Sequence, residues 1–422
     1  MLFTLDEVQA AQGKEEAIRG AIAEAQMREV ETKIPKPKGE GVGEFLKKRS
    51  HPYVTLGFGY DSNVDNVEHD AKGDMFFPGT LGLKMNFSGR DKALNLNTHL
   101  DGKYYGQRTI YNTLDAVQGL TSFINIGKYI LSFSDSYNNN YIIGTRELGV
   151  KRSSVETTDI SGESTAQNER RWANTSTTIL GRYFNRIGFD VGYIRSDIDY
   201  EPDFSLENDR FVDTGRLNMY LRVATKTRLL FGYSHERTEY RKMPDTITNI
   251  DDYNFAVTGA LSPKLTYLGR VDYKFGDAKT GFDGRNRTFT GNIGYAFTNR
   301  TNLTFNYNHI IGKKTISGLI DDASSLYTHG DTFSLTGNHR LAFNPKFNLS
   351  VKCGAELYDY PNNADAGHDQ TYSFGLGLSY AFRQWIDFSL NWTDSITRTA
   401  LSTDSKTIVN RDIIEFKTAA RF

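Results

Sequence analysis

Charged side chains recur at every second position along short runs of this chain. Arg270, Asp272 and Lys274 form one such file, and Glu415, Lys417 and Arg421 fall in one phase of another. In a β-strand that spacing puts the charges on one face. Fixed charges on one face can steer or exclude ions without any covalent step. No arrangement for covalent chemistry accompanies them. The histidines (His51, His69, His99, His235, His309, His329, His339 and His368) are scattered, and HExxH, GxSxG and CxxC patterns are missing. No nucleophile, base and orienting group come together, so an enzyme is not expected. His99 and His235 could sit beside carboxylates such as Asp101 and Glu236. The segment Tyr60–Asp74 opens with Asp61-x-Asn63-x-Asp65, like a calcium loop, but the glycine and closing glutamate positions fall on Asn66 and Lys72. A solvated acidic loop is the expected form. No metal site and no cofactor are expected.

Strands must position those charges. The sequence carries 24 Tyr, 27 Phe and 38 Gly, a composition that suits β structure. Its formal net charge of −1 gives no bulk attraction for nucleic acid, and no nucleic-acid partner is expected. No run approaches the length of a membrane-spanning helix, whereas barrel strands are only half apolar and escape that test. Cys353 stands alone, which excludes an internal disulfide and cysteine-rich metal centres. It falls in an apolar phase and reads as a small lipid-facing side chain.

From Pro52 onward, apolar residues alternate with small or polar ones. Examples are Val54-Leu56-Phe58-Tyr60, Leu303-Phe305-Tyr307 and Phe374-Leu376-Leu378-Tyr380-Phe382. Short turns, such as those near Ser88–Lys92 and Ile126–Lys128, alternate with long polar segments. The long segments include 142–168, 312–330 and 396–410. The count predicts an all-β, transmembrane, antiparallel up-and-down β-barrel of about eighteen strands, with both termini on the short-turn, periplasmic side. Aromatic residues gather near both kinds of connection, as at the two interfaces of a bilayer. Segment 170–183 shows no clean phase. Residues 1–50 differ: a Thr4/Glu7 capping box and an Ala- and Glu-rich stretch predict a helix, followed by a Pro- and Lys-rich linker. The division expected is a periplasmic helical arm and linker over 1–50 and a barrel over 51–422. The start MLFTLDEV has no secretory-signal pattern, so such a signal would have been removed or replaced by the initiator Met.

Two resemblances follow. Gly59-Tyr-Asp-Ser-Asn-Val64, at the end of the first strand, resembles the opening of the β-barrel porins found beside exopolysaccharide loci in Gram-negative bacteria. With the strand architecture, that likeness extends over residues 52–422. It implies an outer-membrane channel with a role in polysaccharide export and supplies no catalytic residues. The chain's closing strand, with Ile414 and Phe416 in one apolar phase and Phe422 last, resembles the signal by which such barrels are recognised for assembly. The β-barrel assembly machinery, outer-membrane lipid and lipopolysaccharide are therefore the expected partners.

Alternation assigns Lys84, Lys103, Arg216, Arg222, Arg270, Lys274, Arg340 and Lys352 to the inner face. It assigns Asp101, Asp190, Asp272, Glu356, Asp387 and Glu415 there too. The excess of bases would favour anions. The alternative is that these charges pair along the wall, for example Arg270 or Lys274 with Asp272. Three functions remain open: a channel for hydrophilic, anionic solutes, an export conduit for a polysaccharide, or a scaffold that anchors a partner and conducts little. Residues 1–50 could plug the lumen or dock a polysaccharide-export or other envelope partner. The long segment 142–168 is the first candidate for a constriction and 312–330 the second.

Overall fold

The computed structural model describes residues 49–64, 71–89, 91–108, 112–143, 168–184, 186–201, 209–241, 247–278, 284–314, 326–359, 368–402 and 405–421. The expected arm over 1–50 and its proposed docking or plugging role lie outside the described residues, save Arg49 and Ser50. The constriction candidates also fall largely outside them.

Eighteen strands form one antiparallel sheet that closes on itself, because β1 (Ser50–Asp61) pairs with β18 (Ser405–Arg421) as well as with β2 (Asp74–Ser88). Between them run β3 (Lys92–Tyr105), β4 (Thr113–Ile126), β5 (Tyr129–Ile143), β6 (Asn168–Tyr183), β7 (Ile187–Glu201) and β8 (Arg210–Ala224). Then come β9 (Thr227–Tyr240), β10 (Ile247–Ser262), β11 (Leu265–Ala278), β12 (Gly284–Thr298) and β13 (Thr301–Lys314). The last strands before the seam are β14 (Leu326–Arg340), β15 (Phe347–Asp359), β16 (His368–Arg383) and β17 (Ile386–Ser402). Each strand pairs with its sequence neighbours, the up-and-down topology read from the alternation. Closure leaves no open edge, which a sheet in lipid requires.

The strands run further than the sequence reading had them. β17 and β18 take up most of 396–410, a segment that reads as a long polar connection. Polar side chains interrupt the alternation in these extensions and hide them. At the β4–β5 hairpin, Gly127 adopts φ 63°, a conformation that a tight two-residue turn demands and that side chains resist. Pairing shifts by one residue beside several short turns, as at Arg222/Ala224 and Ala296/Thr298, which sharpens the twist at that rim.

Curvature separates the two faces. Side chains on the convex face splay apart, and there Leu56, Phe58, Leu81, Val191, Ile293 and Leu390 stay exposed. Those on the concave face converge, and there Asp61, Asp190, Asp272, Asn218 and Thr332 are buried. A soluble protein would reverse this arrangement. A strand spacing of 4.8 Å and a tilt of about 40° make the cylinder roughly 35 Å across, wider than facing side chains can bridge.

Candidate functional site: the inner wall and its seam

The inner face is polar along its height. On β12–β14, Thr290 Oγ1 donates to Asn308 Oδ1 (3.1 Å), Asn292 bonds Asn306, and Asn306 Nδ2 donates to Ser334 Oγ (3.0 Å). Cross-strand pairs of this kind satisfy polar groups sideways and leave the remaining valences to water.

The register places all eight basic candidates on this face, but it does not gather them. Lys84 and Lys103 stand on β2 and β3, Arg216 and Arg222 on β8, Arg270 and Lys274 on β11, and Arg340 and Lys352 on β14 and β15. Their surroundings differ. Arg270 is held by Asp272, with Nε 2.7 Å from Oδ1, and Lys274 faces Asp252 across the ladder. Lys103 lies over the rings of Phe76 (4.1 Å) and Tyr105 (4.8 Å), and Lys84 lies over Tyr53 (5.2 Å). Arg216 lies across Gly192, in register with Ser234. Elsewhere Lys417 binds Glu415 (2.7 Å), Arg421 binds Asp387 (2.8 Å) and His99 binds Asp101 (3.1 Å).

Another group of cations has no carboxylate within ion-pair distance among the described residues: Lys84, Arg222, Arg228, Arg340 and Lys352. Arg222 and Arg228 oppose each other directly across the β8–β9 ladder. Four of these five stand toward the short-turn end, so that mouth keeps its positive charge. The sequence list omits Arg228, although the apolar phase Leu229-Phe231-Tyr233 already assigns it inward.

His235 departs from its expectation. It faces outward, with Nδ1 2.9 Å from Asp251, whereas Glu236 is in the inward phase. Adjacent residues of a strand cannot share a face. The outward Tyr307, His309 and Asp331 repeat the pattern on β13 and β14, with Tyr307 Oη 2.7 Å from Asp331.

The seam between the first and last strands corrects the reading of an acidic loop at Asp61 and Asn63, while 65–70 lie outside the described residues. Asp61 is fully buried and Asn63 nearly so. Arg411 grips Asp61 through two bonds, Nε to Oδ1 at 3.0 Å and NH2 to Oδ2 at 2.5 Å. Tyr105 Oη adds a third at 3.3 Å, and Asn63 Nδ2 donates to the Asn410 carbonyl at 3.1 Å. Phe76, Val64 and Tyr105 pack beneath, with Ile413 at the edge. Tyr105 turns inward because the seam takes it. A Cβ on Gly59 would lie 2.4 Å from the Phe76 ring, so only glycine admits that ring. The Gly59–Val64 segment is therefore a structural lock. Nothing local in the sequence announces it, since Asp61 and Arg411 are distant along the chain.

Of the closing residues, Ile414 and Phe416 face outward, and Phe416 packs on Phe58 (5.4 Å) and Phe388 (6.2 Å). Phe422 lies outside the described residues. Cys353 lies on β15 in the outward apolar phase, paired with Leu335 and Phe374.

No protein-family model matches the chain, and no curated protein matches it in sequence. Solved structures do resemble it. Acinetobacter baumannii OccAB2 is 11% identical, with 91% of this chain and 100% of that one covered and a TM-score of 0.50. Pseudomonas aeruginosa OpdO is 11% identical over 90% of this chain and 99% of its own, with a TM-score of 0.49. Pseudomonas aeruginosa OccK5 (OpdH) is 12% identical over the same shares, also at 0.49. These are outer-membrane porins of the OprD/Occ family. At such identities the likeness is one of fold, an eighteen-strand antiparallel barrel.

Proposed function

We propose that this protein is a porin-like channel of a Gram-negative outer membrane that passes small hydrophilic solutes and favours anions. One observation carries the reading: a closed barrel wears an apolar coat and a polar inner face on which Lys84, Arg222, Arg228, Arg340 and Lys352 meet no carboxylate among the described residues. Apolar coats of this kind match lipid, and a lumen lined by fixed positive charge lowers the barrier for anions. On the same wall Asp61, Asp272, Asp387 and Glu415 are engaged with neighbouring bases, whereas Asp190, Glu236 and Asp252 have no ion pair among the described residues. The sign is set by Lys84, Arg222, Arg228 and Arg340, which gather toward the short-turn end. The resemblance to exopolysaccharide-associated porins rests on Gly59–Val64, residues whose burial at the seam explains them without a polymer. Neither polysaccharide export nor a scaffold role has a feature of the described wall in its favour. The periplasmic placement of the termini, the assembly role of Ile414, Phe416 and Phe422, and docking through residues 1–50 remain parts of the proposal.

The test is single-channel recording of the refolded chain in a planar bilayer under a salt gradient. Open steps with a reversal potential on the anion side support the reading. Cation-selective steps overturn the preference, and a folded but silent barrel overturns the channel itself.

A further inference from the structure

The outer wall is not apolar all round. On β15 the outward phase reads Phe347, Leu349, Val351, Cys353, Ala355 and Leu357. Half-way round the cylinder, on β6, it reads Arg182, Leu180, Thr178, Ser176 and Asn174. The neighbouring strands extend the gap with Gln118 on β4 and Asp135 on β5. All but Arg182 stand near the middle of their strands, where the rest of the coat is apolar, and Gln118, Asn174 and Thr178 are exposed. The Asp135 carboxylate accepts a hydrogen bond from Ser176 Oγ at 2.5 Å, which leaves it further lone pairs to satisfy. Lipid tails offer no hydrogen bonds, so this sector is costly against a bilayer. It also explains why 170–183 shows no clean phase: along the middle of β6, from Ala173 to Thr178, both faces are polar or small.

We infer that a second copy of the chain covers this sector, related by a two-fold axis along the membrane normal beside β6. The inference rests on the membrane reading above. Two copies pointing the same way through a bilayer can form a closed pair only about that normal. Charge complementarity selects the occupant. Asp135, Ser176 and Arg195 lie in one register row, so a carboxylate and a guanidinium flank β6 on opposite sides. A two-fold axis exchanges left and right and keeps height. The tilted row sets Asp135 and Arg195 about 6 Å apart in height, which the long arginine side chain can span, so Asp135 of each copy meets Arg195 of the other. Arg195 has donors to give: it is 51% exposed, lies over Phe211 (4.9 Å), touches the Tyr193 hydroxyl and makes a long 3.8 Å contact with Asp213. Ser176 and Thr178 fall nearest the axis and are small enough for the walls to approach closely.

The experiment uses the full chain in liposomes with Cys353→Ser as background. Thr178→Cys is expected to give a disulfide-linked dimer on mild oxidation, and Val351→Cys on the far wall is not. Equal linkage from both positions means random collision and overturns the inference, as does no linkage from Thr178→Cys. Asp135→Arg and Arg195→Asp should each lose the dimer, and the two together should restore it; failure of the exchange overturns the pairing. If Asp135→Arg does not insert, Asp135→Asn is read instead, and undiminished linkage counts against the pairing. Failure of the membrane reading looks different, since the unsubstituted chain would then neither float with liposomes nor conduct.

Discussion

Charge does opposite work at the seam and at the short-turn mouth. Asp61 and Arg411 are removed from water, gripped by paired bonds and packed over Phe76. Arg222 and Arg228 face each other with no carboxylate between them. At the seam the low dielectric makes the pair indispensable once formed, because either partner alone would be a buried, uncompensated charge. At the mouth, water screens the repulsion, so like charges are tolerated cheaply and their field extends into the lumen. The difference teaches that position relative to water, more than residue type, decides whether a charge on this wall holds the barrel shut or acts on what passes through it.

The strongest way to break that contrast is Asp61→Ala. It should destabilise the barrel by about 3–5 kcal/mol, since it strands Arg411 and opens the junction of the first and last strands. Urea unfolding in micelles reads this, and single channels that still form should keep the parent's ion selectivity. Gly59→Ala comes next, at about 1–3 kcal/mol, because the added methyl must displace the Phe76 ring. The same titration measures it, and a neutral result would mean that the ring swings aside without loss.

At the mouth the signs reverse: selectivity changes and stability does not. The double substitution Arg222→Glu and Arg228→Glu should move the reversal potential toward cations while unfolding shifts by less than about 1 kcal/mol. A large loss of stability would assign these arginines a structural role and erase the contrast. Lys417→Gln should have the smallest effect. Its pair with Glu415 is open to water, and about 0–1 kcal/mol is expected. A change in selectivity comparable to that of the arginine pair would show that paired charges also set the field.

Much of the architecture was legible in the sequence because alternation is a local property. A strand needs no partner to declare its two faces, so the eighteen strands, the antiparallel order and the inward phase of Lys84 through Lys352 could be read residue by residue. Arg228 was legible too, although the sequence list omitted it. Three features could not be read this way. Asp61 looked like part of a solvated loop because Arg411 and Tyr105, which bury it, arrive from distant strands. Asp252 opposite Lys274 is a matter of register, which alternation leaves open. The polar outward phase of β6 was visible only as a failure of pattern.

Sequence by itself determined the outward face of every strand but β6, because the period of two is written into every few residues. Tertiary structure alone decided which charges meet, which are buried and where the coat is interrupted, because closing the cylinder brings together residues that the chain holds far apart.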